Sequence, residues 1–303
     1  MARTATVEVE VEGRQLRLSN LDKVLYPAVG FTKGQVIDYY SRIAPVLLPH
    51  LKDRPLTLKR YPDGVEGQHF YEKQCPKHRP KWVKTVPIPA RGKTIDFCLA
   101  QDLPTLVWAA NLADLELHTS LSKKRDIVQP TTLAFDLDPG PPATIVECAD
   151  VALLLREMFD NWELESFPKT SGSKGMQIYM PLNTKVTYDQ TKPFSKALAE
   201  LLAKEHGDLV VSSQRKDLRP RKVLVDWSQN DEHKTTICVY SLRAKERPTV
   251  STPLTWEEVE ELAESRDPDS VVFDSDQVLE RVDEMGDLFE PVATLKQRLP
   301  KLP

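Results

Sequence analysis

The sequence predicts an α+β fold with mixed, largely antiparallel sheets flanked by helices. Helix-like and strand-like segments interleave along the 303 residues, and several strand-like runs follow one another closely, as hairpin strands do. An apolar content of 40% allows a sizeable core. The length fits one large domain or two closely joined ones.

The first half begins with Leu21–Tyr26, which leads to Thr32. Thr32 can cap a helix, and Pro45 and Pro49 are expected to limit that helix. The elements expected next are strands over Leu56–Arg60, Val83–Ile88 and Thr94–Leu99, and a helix near Leu106–Asn111.

The second half begins with a predicted strand over Thr132–Asp138. The remaining strands are expected over Gly175–Met180, Leu209–Ser212, Val223–Trp227 and Thr235–Tyr240. Helices are expected near Glu147–Phe159, Gln190–His206, Trp256–Ser265 and Ser275–Met285.

Composition indicates an ordinary soluble, cytoplasmic protein. No run of about 18 apolar residues exists to span a membrane, and the amino terminus lacks a hydrophobic signal region. Four scattered cysteines form no CxxC pair, which argues against a zinc ribbon or a disulfide framework, and we expect structural thiols: Cys75, Cys98, Cys148 and Cys238. Cys75 and His78 could form half a metal site, but no second half is visible.

The net charge of −4 hides an uneven distribution. Residues 256–290 contain fourteen acidic residues and two arginines, so the rest of the chain carries a net charge of +8. A basic body of this kind is compatible with a polyanionic ligand, although the acidic region is also typical of a solvated helical face.

Two carboxylates, Asp136 and Asp138, end an apolar run in the string FDLDPG. Side chains two residues apart on a strand point to the same face, about 6–7 Å apart. Pro139 and Gly140 then end the strand, which places the pair where a ligand can reach it. Since two buried ionised acids would be costly without a cation, we predict that the pair is exposed or binds a divalent metal.

A turn of small residues follows in the string KTSGSKG, over Lys169–Gly175. Its backbone can approach an anion while hydroxyl groups and an ammonium group surround it, which favours phosphate binding. The spacing is not that of a Walker A loop, and a plain surface turn remains an alternative.

A third acid, Asp226, interrupts the apolar strand VLVDW. It is preceded by a cationic loop, Arg215–Lys222, and followed by the string YSLR at Tyr240–Arg243. Three carboxylates near cationic side chains fit a triphosphate bridged by Mg²⁺ or Mn²⁺.

These strings together resemble a known family, the polymerase domain of bacterial DNA ligase D in the archaeo-eukaryotic primase superfamily. The strings that carry the resemblance are LDKVLYP, RPLTLKRYPDG, FYEKQ, FDLDPG, TSGSKG, VDWSQN and YSLR. The resemblance implies a single primase-polymerase domain over residues 1–303 with a primase-like catalytic core. We expect an N-terminal α/β portion over about residues 1–130 and a catalytic portion over about 131–303.

The resemblance also implies roles for individual residues. The catalytic residues, which would hold two Mn²⁺ or Mg²⁺ ions, are Asp136, Asp138 and Asp226. The residues implied to bind the nucleotide are Lys59, Phe70, Tyr71, His118, Ser171, Ser173, Lys174, Gln177 and Arg243. For His118 the sequence alone would favour a core or capping histidine, and for the aromatic pair core packing is the alternative.

The DNA contacts implied by the resemblance are cationic. Lys23 and Lys33 would grip the 5′-phosphate downstream of a gap, for which a point charge suffices. The loop residues expected to position the template and nucleotide are Arg215, Lys216, Arg219, Arg221 and Lys222.

The chain departs from the family pattern at two places. Gln177 stands where the family usually has histidine, and an amide can replace the hydrogen bond but not the charge of that histidine. We therefore expect weakened nucleotide affinity or altered catalysis. The segment after His118 also lacks the Pro-Trp pair that often follows there.

The function expected is that of a DNA-dependent nucleotidyltransferase that fills gaps and extends ends in double-strand break repair by non-homologous end joining. Its implied partners are DNA with a 3′ overhang or a gap bearing a 5′-phosphate, NTP or dNTP, Ku and a DNA ligase, with no membrane. Ribonucleotide use and a preference for Mn²⁺ are implied too, as is association with the bacterial nucleoid.

Two alternatives stay open from the sequence. One is a catalytically weak module that binds DNA ends, for which the basic body would suffice. The other is a haloacid-dehalogenase-type phosphatase with Asp136 as nucleophile, which FDLDPG fits poorly because Pro139 replaces a glycine.

Overall fold

The computed structural model describes residues 6–90 and 92–301. Its contacts divide the chain into two compact units that are each built from several segments. The first unit is the described part of Met1–Ser120 with Ile237–Val250 and Asp274–Gly286, and the second is Leu121–Thr236, Ser251–Phe273 and the described part of Asp287–Pro303. The sequence suggested an N-terminal portion over about residues 1–130 and a catalytic portion over about 131–303. That division remains a prediction.

The strands, in chain order, are β1 Thr6–Val11, β2 Arg14–Ser19, β3 Val24–Tyr26, β4 Phe31–Thr32, β5 Leu56–Arg60, β6 Phe70–Glu72, β7 Lys84–Ala90, β8 Lys93–Leu99, β9 Asp114–Thr119, β10 Ser122–Lys123, β11 Asp126–Pro130, β12 Thr132–Pro139, β13 Phe167–Thr170, β14 Met176–Pro181, β15 Val210–Val211, β16 Val223–Asp226 and β17 Thr236–Ile237. The helices are α1 Lys33–Leu51, α2 Leu103–Asn111, α3 Ile145–Asp160, α4 Tyr188–Glu205, α5 Trp256–Ser265, α6 Ser275–Met285 and α7 Glu290–Thr294. The predicted α+β class with largely antiparallel sheets is confirmed.

The main sheet of the first unit has the strand order β17, β9, β5, β8, β7, with β6 also paired to β5. Its interior strand β9 has the sequence DLELHT, and all six residues are buried. Pairing with β5 sets Glu116 and His118 opposite Lys59 and Thr57 on one face, and Leu117 opposite Leu58 on the other. Polar side chains are thereby gathered on one buried face of this sheet.

The sheet of the second unit has the order β13, β14, β12, β16, β15, and only the β15–β16 pair is parallel. Helices α3 and α5 pack on its apolar face. The buried side chains on that face include Leu133, Phe135, Leu137, Ile178 and Val225. Because alternate residues point the other way, Asp136 and Asp138 lie on the opposite face of β12. The strand ends at Pro139, as predicted.

Helix α1 begins as predicted, with Thr32 and Gln35 forming a capping box. The expectation that Pro45 and Pro49 limit it is wrong, because both lie inside a helix that continues to Leu51. Each proline removes one backbone hydrogen bond, but a long buried face offsets that loss. Its buried residues include Val36, Tyr40, Ile43 and Leu47.

The expectation that all four cysteines are thiols is wrong for two of them. Cys75 and Cys98 form a disulfide across 23 residues of sequence, whereas Cys148 and Cys238 are buried free thiols. The backbone N–H of Cys75 donates to the carbonyl of Asp96 at 2.7 Å, so the segment after β6 runs beside β8. This proximity comes from sheet pairing, which cysteine spacing alone does not reveal.

In the described part of the chain, no helix is both long and apolar enough to cross a membrane.

Candidate active site

Three carboxylates share one face of the sheet in the second unit. Asp136 on β12 lies directly opposite Asp226 on β16, and Asp138 follows two residues along β12. Side chains directly opposite each other in an antiparallel pair have Cβ atoms about 4.5–5.5 Å apart. We call Asp136, Asp138 and Asp226 the acidic row.

Gln177 flanks the acidic row on the other side of β12. It lies opposite Asp136 in the β12–β14 pair, and its Nε2 donates to Oδ1 of Asp136 at 3.0 Å. The hydroxyl of Tyr179 donates to Oε1 of Gln177 at 3.4 Å and to Oγ1 of Thr236 at 2.9 Å. Gln177 therefore orients the carboxylate of Asp136.

Lys169 lies beside the acidic row, on a fourth strand of the same sheet. It lies opposite Gln177 in the β13–β14 pair and is fully buried. Its Nζ donates to Oγ of Ser251 at 2.6 Å and lies 5.5 Å from the centre of the Tyr179 ring. A buried cation on this face partly balances the acids.

The carboxylates of the acidic row repel one another. Burial, together with the negative charges of Asp138 and Asp226, raises the pKa of Asp136 to about 7. The hydrogen bond from Gln177 and the charge of Lys169 oppose this rise without cancelling it. A bound cation would remove the repulsion, since it would favour all three ionised forms.

The donor atoms of the acidic row fit Mg²⁺ or Mn²⁺, which prefer hard carboxylate oxygens. Oδ1 of Asp226 accepts from the backbone N–H of Ser228 at 2.8 Å, and its Oδ2 accepts from Nε2 of Gln229 at 2.9 Å. Each carboxylate oxygen can accept a further bond. Within residues 6–90 and 92–301, no three His, Cys, Asp or Glu side chains already converge as one ligand group.

The turn after β13 is held by Ser171. Its Oγ accepts from the backbone N–H groups of Ser173 and Gly175, at 3.3 and 3.2 Å. Ser171 is buried, whereas Ser173 and Lys174 are exposed. A Cβ on Gly175 would lie 2.1 Å from the carbonyl oxygen of Leu137, so the turn can pack against β12 only with glycine there. The turn thus presents Ser173 and Lys174 outward.

The cationic loop is anchored at the end of β12. The N–H of Gly140 donates to the carbonyl of Lys222 at 2.8 Å, and the N–H of Arg221 donates to the carbonyl of Gly140 at 3.1 Å. A Cβ on Gly140 would lie 2.0 Å from the carbonyl oxygen of Arg219. Glycine at this position therefore lets the loop pack closely against the strand end.

The five cations of this loop differ in exposure. Arg219 donates to the carbonyl of Gln214 at 2.8 Å, and Lys222 donates to the carbonyl of Gly207. The exposed cations are Arg215, Lys216 and Arg221.

The first unit contains a second polar cluster. Tyr71 on β6 lies opposite Lys59 on β5, and Lys59 in turn lies opposite Glu116 on β9. Oε2 of Glu116 is 3.0 Å from Nζ of Lys59 and 3.0 Å from Nε2 of His118, and Oε1 is 3.3 Å from Nε of Arg243. We call Lys59, Tyr71, Glu116, His118 and Arg243 the Glu116 cluster.

The carboxylate of the Glu116 cluster is compensated by neighbouring cations. Burial alone would raise the pKa of Glu116, but the hydrogen bond from His118 and the charges of Arg243, His118 and Lys59 hold that pKa well below its usual range. Burial and the nearby cations Arg243 and Lys59 lower the pKa of His118, and Glu116 opposes that shift. Glu116 is therefore ionised beside its cations at neutral pH.

The two aromatic rings of Phe70 and Tyr71 lie on opposite faces of strand β6. Phe70 and Tyr71 are consecutive on β6 and are 46% and 51% exposed, so their rings point to opposite faces. The Tyr71 hydroxyl is 3.0 Å from Nδ1 of His118. Tyr71 therefore lies on the face of the Glu116 cluster, and Phe70 lies on the other.

Lys23 and Lys33 lie together in the first unit. The N–H of Lys33 donates to the carbonyl of Lys23 at 2.8 Å. Lys23 forms an exposed ion pair with Asp63 at 2.9 Å, whereas Lys33 is buried and donates to the carbonyl of Ser19 at 2.6 Å. Burial, followed by the charges of Lys23 and Arg60, lowers the pKa of Lys33 to about 8. An anion would relieve this repulsion.

Three site residues were missed by sequence reasoning. They are Glu116, Lys169 and Asn230, whose side chain forms two hydrogen bonds with the backbone of Ala134 at 3.0 and 2.7 Å. The alternation in DLELHT could have indicated Glu116. Polar side chains on a buried strand are costly unless they contact polar or charged partners, so their presence predicts such partners. Lys169 and Asn230 have no comparable local signal.

The chain matches the family model described as "LigD, primase-polymerase domain" over residues 32–289. It is 39% identical over 280 residues to the "Multifunctional non-homologous end joining protein LigD" of Mycolicibacterium smegmatis, covering 92% of this chain and 36% of that protein. It is 30% identical over 297 residues to the "Bifunctional non-homologous end joining protein LigD" of Bacillus subtilis, covering 95% of this chain and 47% of that protein. The chain thus spans less than half the length of these relatives.

A solved structure agrees with the sequence matches. The chain superposes on the "Polymerase Domain from Mycobacterium tuberculosis Ligase D in complex with DNA" with a TM-score of 0.85 and 37% identity, covering 92% of this chain and 98% of that one. The resemblance noted in the sequence is confirmed, and the phosphatase alternative is wrong. The chain belongs to the family of LigD primase-polymerase domains.

Proposed function

We propose that this chain is a DNA-dependent nucleotidyltransferase that fills short gaps and extends 3′ ends during non-homologous end joining. The observation that carries the proposal is the acidic row, in which Asp136 faces Asp226 across a strand pair and Asp138 shares their face. Family membership supports the same reaction class. The similar polymerase domain from Mycobacterium tuberculosis was solved in complex with DNA, which supports a nucleic-acid substrate.

The residues of the acidic row would hold the metal ions of this reaction, two Mn²⁺ or Mg²⁺. Such ions, when bound, would make the 3′-hydroxyl more acidic and offset charge on the phosphates. Gln177 keeps the Asp136 carboxylate in one orientation, and Ser228 and Gln229 do the same for Asp226. Pre-oriented carboxylates need less rearrangement when a cation arrives.

The nucleotide would be held by cationic and aromatic side chains. In this proposal Lys59, His118 and Arg243 of the first unit receive the triphosphate. The exposed Ser173 and Lys174 of the second unit are separate candidates for a phosphate contact. Ser171 contributes by fixing the turn, because its hydroxyl accepts from two backbone N–H groups. An exposed aromatic ring of Phe70 or Tyr71 would stack on a base, a contact of about 1–3 kcal/mol.

The DNA would be held by cations at two places. Lys23 and Lys33, at the start of helix α1, would bind a 5′-phosphate on the far side of a gap. The exposed cations Arg215, Lys216 and Arg221 would contact the template strand. Ku and a DNA ligase are the partners proposed for the pathway, and the bacterial nucleoid is the proposed place of action.

Primer extension on a gapped duplex with a 5′-phosphate tests the proposal. The protein is given Mn²⁺ or Mg²⁺ and either ribonucleotides or deoxyribonucleotides, and is compared with the double variant Asp136→Ala/Asp138→Ala. We expect incorporation that falls by about 10³-fold or more in the variant, corresponding to roughly 4 kcal/mol of transition-state stabilisation. We also expect incorporation of ribonucleotides and a higher rate with Mn²⁺.

Measuring the affinity for the same gapped duplex distinguishes a polymerase from a module that only binds DNA ends. Equal DNA affinity in both proteins, with incorporation only in the unmodified one, supports the polymerase. Undiminished DNA binding with no incorporation by the unmodified protein would instead support a module that only binds DNA ends.

A further inference from the structure

Two cationic side chains and a histidine of the first unit converge on one buried carboxylate. The side chain of Glu116 is 2% exposed, whereas those of Lys59, Arg243 and His118 are 17%, 15% and 10% exposed. The carboxylate therefore lies beneath the cations, which separate it from solvent. Oε1 also accepts from the backbone N–H of Ala244 at 3.1 Å, so both oxygens are engaged.

We propose that Glu116 is a positioning residue that holds Lys59, His118 and Arg243 in the arrangement that receives the triphosphate of the nucleotide. This inference rests on the proposed function, because it takes those three residues as the triphosphate contacts.

The restraint on Lys59 shows what the carboxylate contributes. A lysine side chain has four flexible methylene groups, and ordering it costs about 2 kcal/mol of rotamer entropy. Here Nζ is fixed 3.0 Å from Glu116 and lies 5.4 and 5.8 Å from the ring centres of Tyr61 and Tyr71. Because that ordering is complete before a nucleotide arrives, binding does not have to supply it.

Glu116 also sets the proton on His118. A carboxylate accepts hydrogen bonds, so Nε2 of His118, 3.0 Å from Oε2, carries a proton in this contact. Nδ1 then faces the Tyr71 hydroxyl at 3.0 Å. The charged and titratable groups around the ring are Glu116 on its own strand, Lys59 on β5, Tyr71 on β6, and Arg243. Of these, only Glu116 favours the protonated imidazole through its charge.

Asp114 supplies a matched control on the same strand. It is two residues from Glu116 along β9, is fully buried and lies opposite Arg60 in the strand pairing. Burial raises its pKa well above the ordinary value, and asparagine matches the neutral acid in shape. Asp114→Asn thus changes a buried acid of β9 without removing a counter-ion of the triphosphate contacts.

The test compares the unmodified protein, Glu116→Gln and Asp114→Asn. Steady-state incorporation gives KM for the nucleotide and kcat, and NMR follows the titration of the His118 ring without nucleotide. For Glu116→Gln we expect KM to rise at least tenfold with kcat changed less than threefold, and the His118 titration to move to lower pH. For Asp114→Asn we expect both readouts to match the unmodified protein. Thermal melts establish that each variant is folded at the assay temperature.

The outcomes separate the inference from the proposed function. No incorporation by the unmodified protein would overturn the proposed function and, with it, this inference. Normal incorporation with an unchanged KM in Glu116→Gln would overturn the inference alone. An equal rise of KM in Asp114→Asn would also overturn it, because the effect would then belong to the strand. If Glu116→Gln is unfolded, Glu116→Asp, which retracts the carboxylate, is expected to raise KM in the same direction.

Discussion

Asp136 in the second unit and Glu116 in the first are both carboxylates on strands inside a sheet, and both face a residue directly opposite on a neighbouring strand. Asp136 faces a second acid, Asp226, whereas Glu116 faces Lys59. The pKa of Asp136 is raised to about 7 by burial and by the other acids, whereas cations hold the pKa of Glu116 well below its usual range.

The two sites differ in what compensates the charge of their carboxylates. The Glu116 cluster contains its own counter-ions, so the folded chain alone satisfies its charge. The acidic row has the buried Lys169 nearby but retains like-charge repulsion, which a bound cation would offset. Family resemblance grouped all of these residues as one site, yet they have opposite electrostatic requirements.

Unfolding in chelator should show the largest contrast between the two regions. Glu116→Gln should lower the free energy of unfolding by about 2 kcal/mol, because it leaves two half-buried cations without their carboxylate. Asp136→Asn should leave that free energy unchanged or raise it by up to about 1 kcal/mol, since it removes like-charge repulsion while its Oδ1 can still accept from Gln177. Urea titrations of the two variants and the unmodified protein measure both values.

The comparison fails if both variants are destabilised equally. It is sharpened by repeating the titrations with Mn²⁺, which should stabilise the unmodified protein and Glu116→Gln but not Asp136→Asn.

Binding of a 5′-phosphate should depend on pH through Lys33. Its pKa of about 8 means that it is charged below that pH and loses its proton as the pH rises through it. A phosphate monoester is already largely dianionic at pH 7. Affinity for a 5′-phosphorylated gap should therefore be constant between about pH 7 and pH 8 and fall by up to tenfold per pH unit above that range. Fluorescence anisotropy with phosphorylated and hydroxyl-ended duplexes measures the difference.

The controls for this prediction are Lys33→Arg and Lys33→Met. Arginine stays charged at these pH values, so Lys33→Arg should remove the decline above pH 8. Lys33→Met should show a weaker preference for the phosphorylated end at every pH. An identical preference at pH 7 and pH 9.5 in the unmodified protein would refute the role of Lys33.

Gln177→His should have the smallest effect. Histidine can add a charge to a hydrogen bond, and a charged hydrogen bond exceeds a neutral one by about 1 kcal/mol, so nucleotide affinity should increase about fivefold. Gln177→Leu, which keeps the size but removes the donor to Asp136, serves as the control and should lower kcat. An unchanged or weaker nucleotide affinity in Gln177→His would count against the expectation drawn from the sequence.

Local sequence signals predicted most elements well. The strand over Leu56–Arg60 and the helices over Trp256–Ser265 and Ser275–Met285 have the predicted bounds. The β1–β2 hairpin and β9 were not predicted. Strand β9 was missed because its polar residues alternate with only two leucines, which resembles an exposed segment unless its partners are known.

The sequence by itself determined the α+β class, the family and the placement of Asp136 and Asp138 on one face, because strand periodicity and motif order are local properties of the chain. Only the tertiary structure decided that Asp226 lies opposite Asp136, that Gln177 binds Asp136, that Cys75 pairs with Cys98 and that Lys59, Arg243 and His118 surround Glu116. The contacts of Asp136 with Asp226 and Gln177, and that of Glu116 with Lys59, depend on the register between strands. A shift of one residue in that register would turn the same side chains to the opposite face.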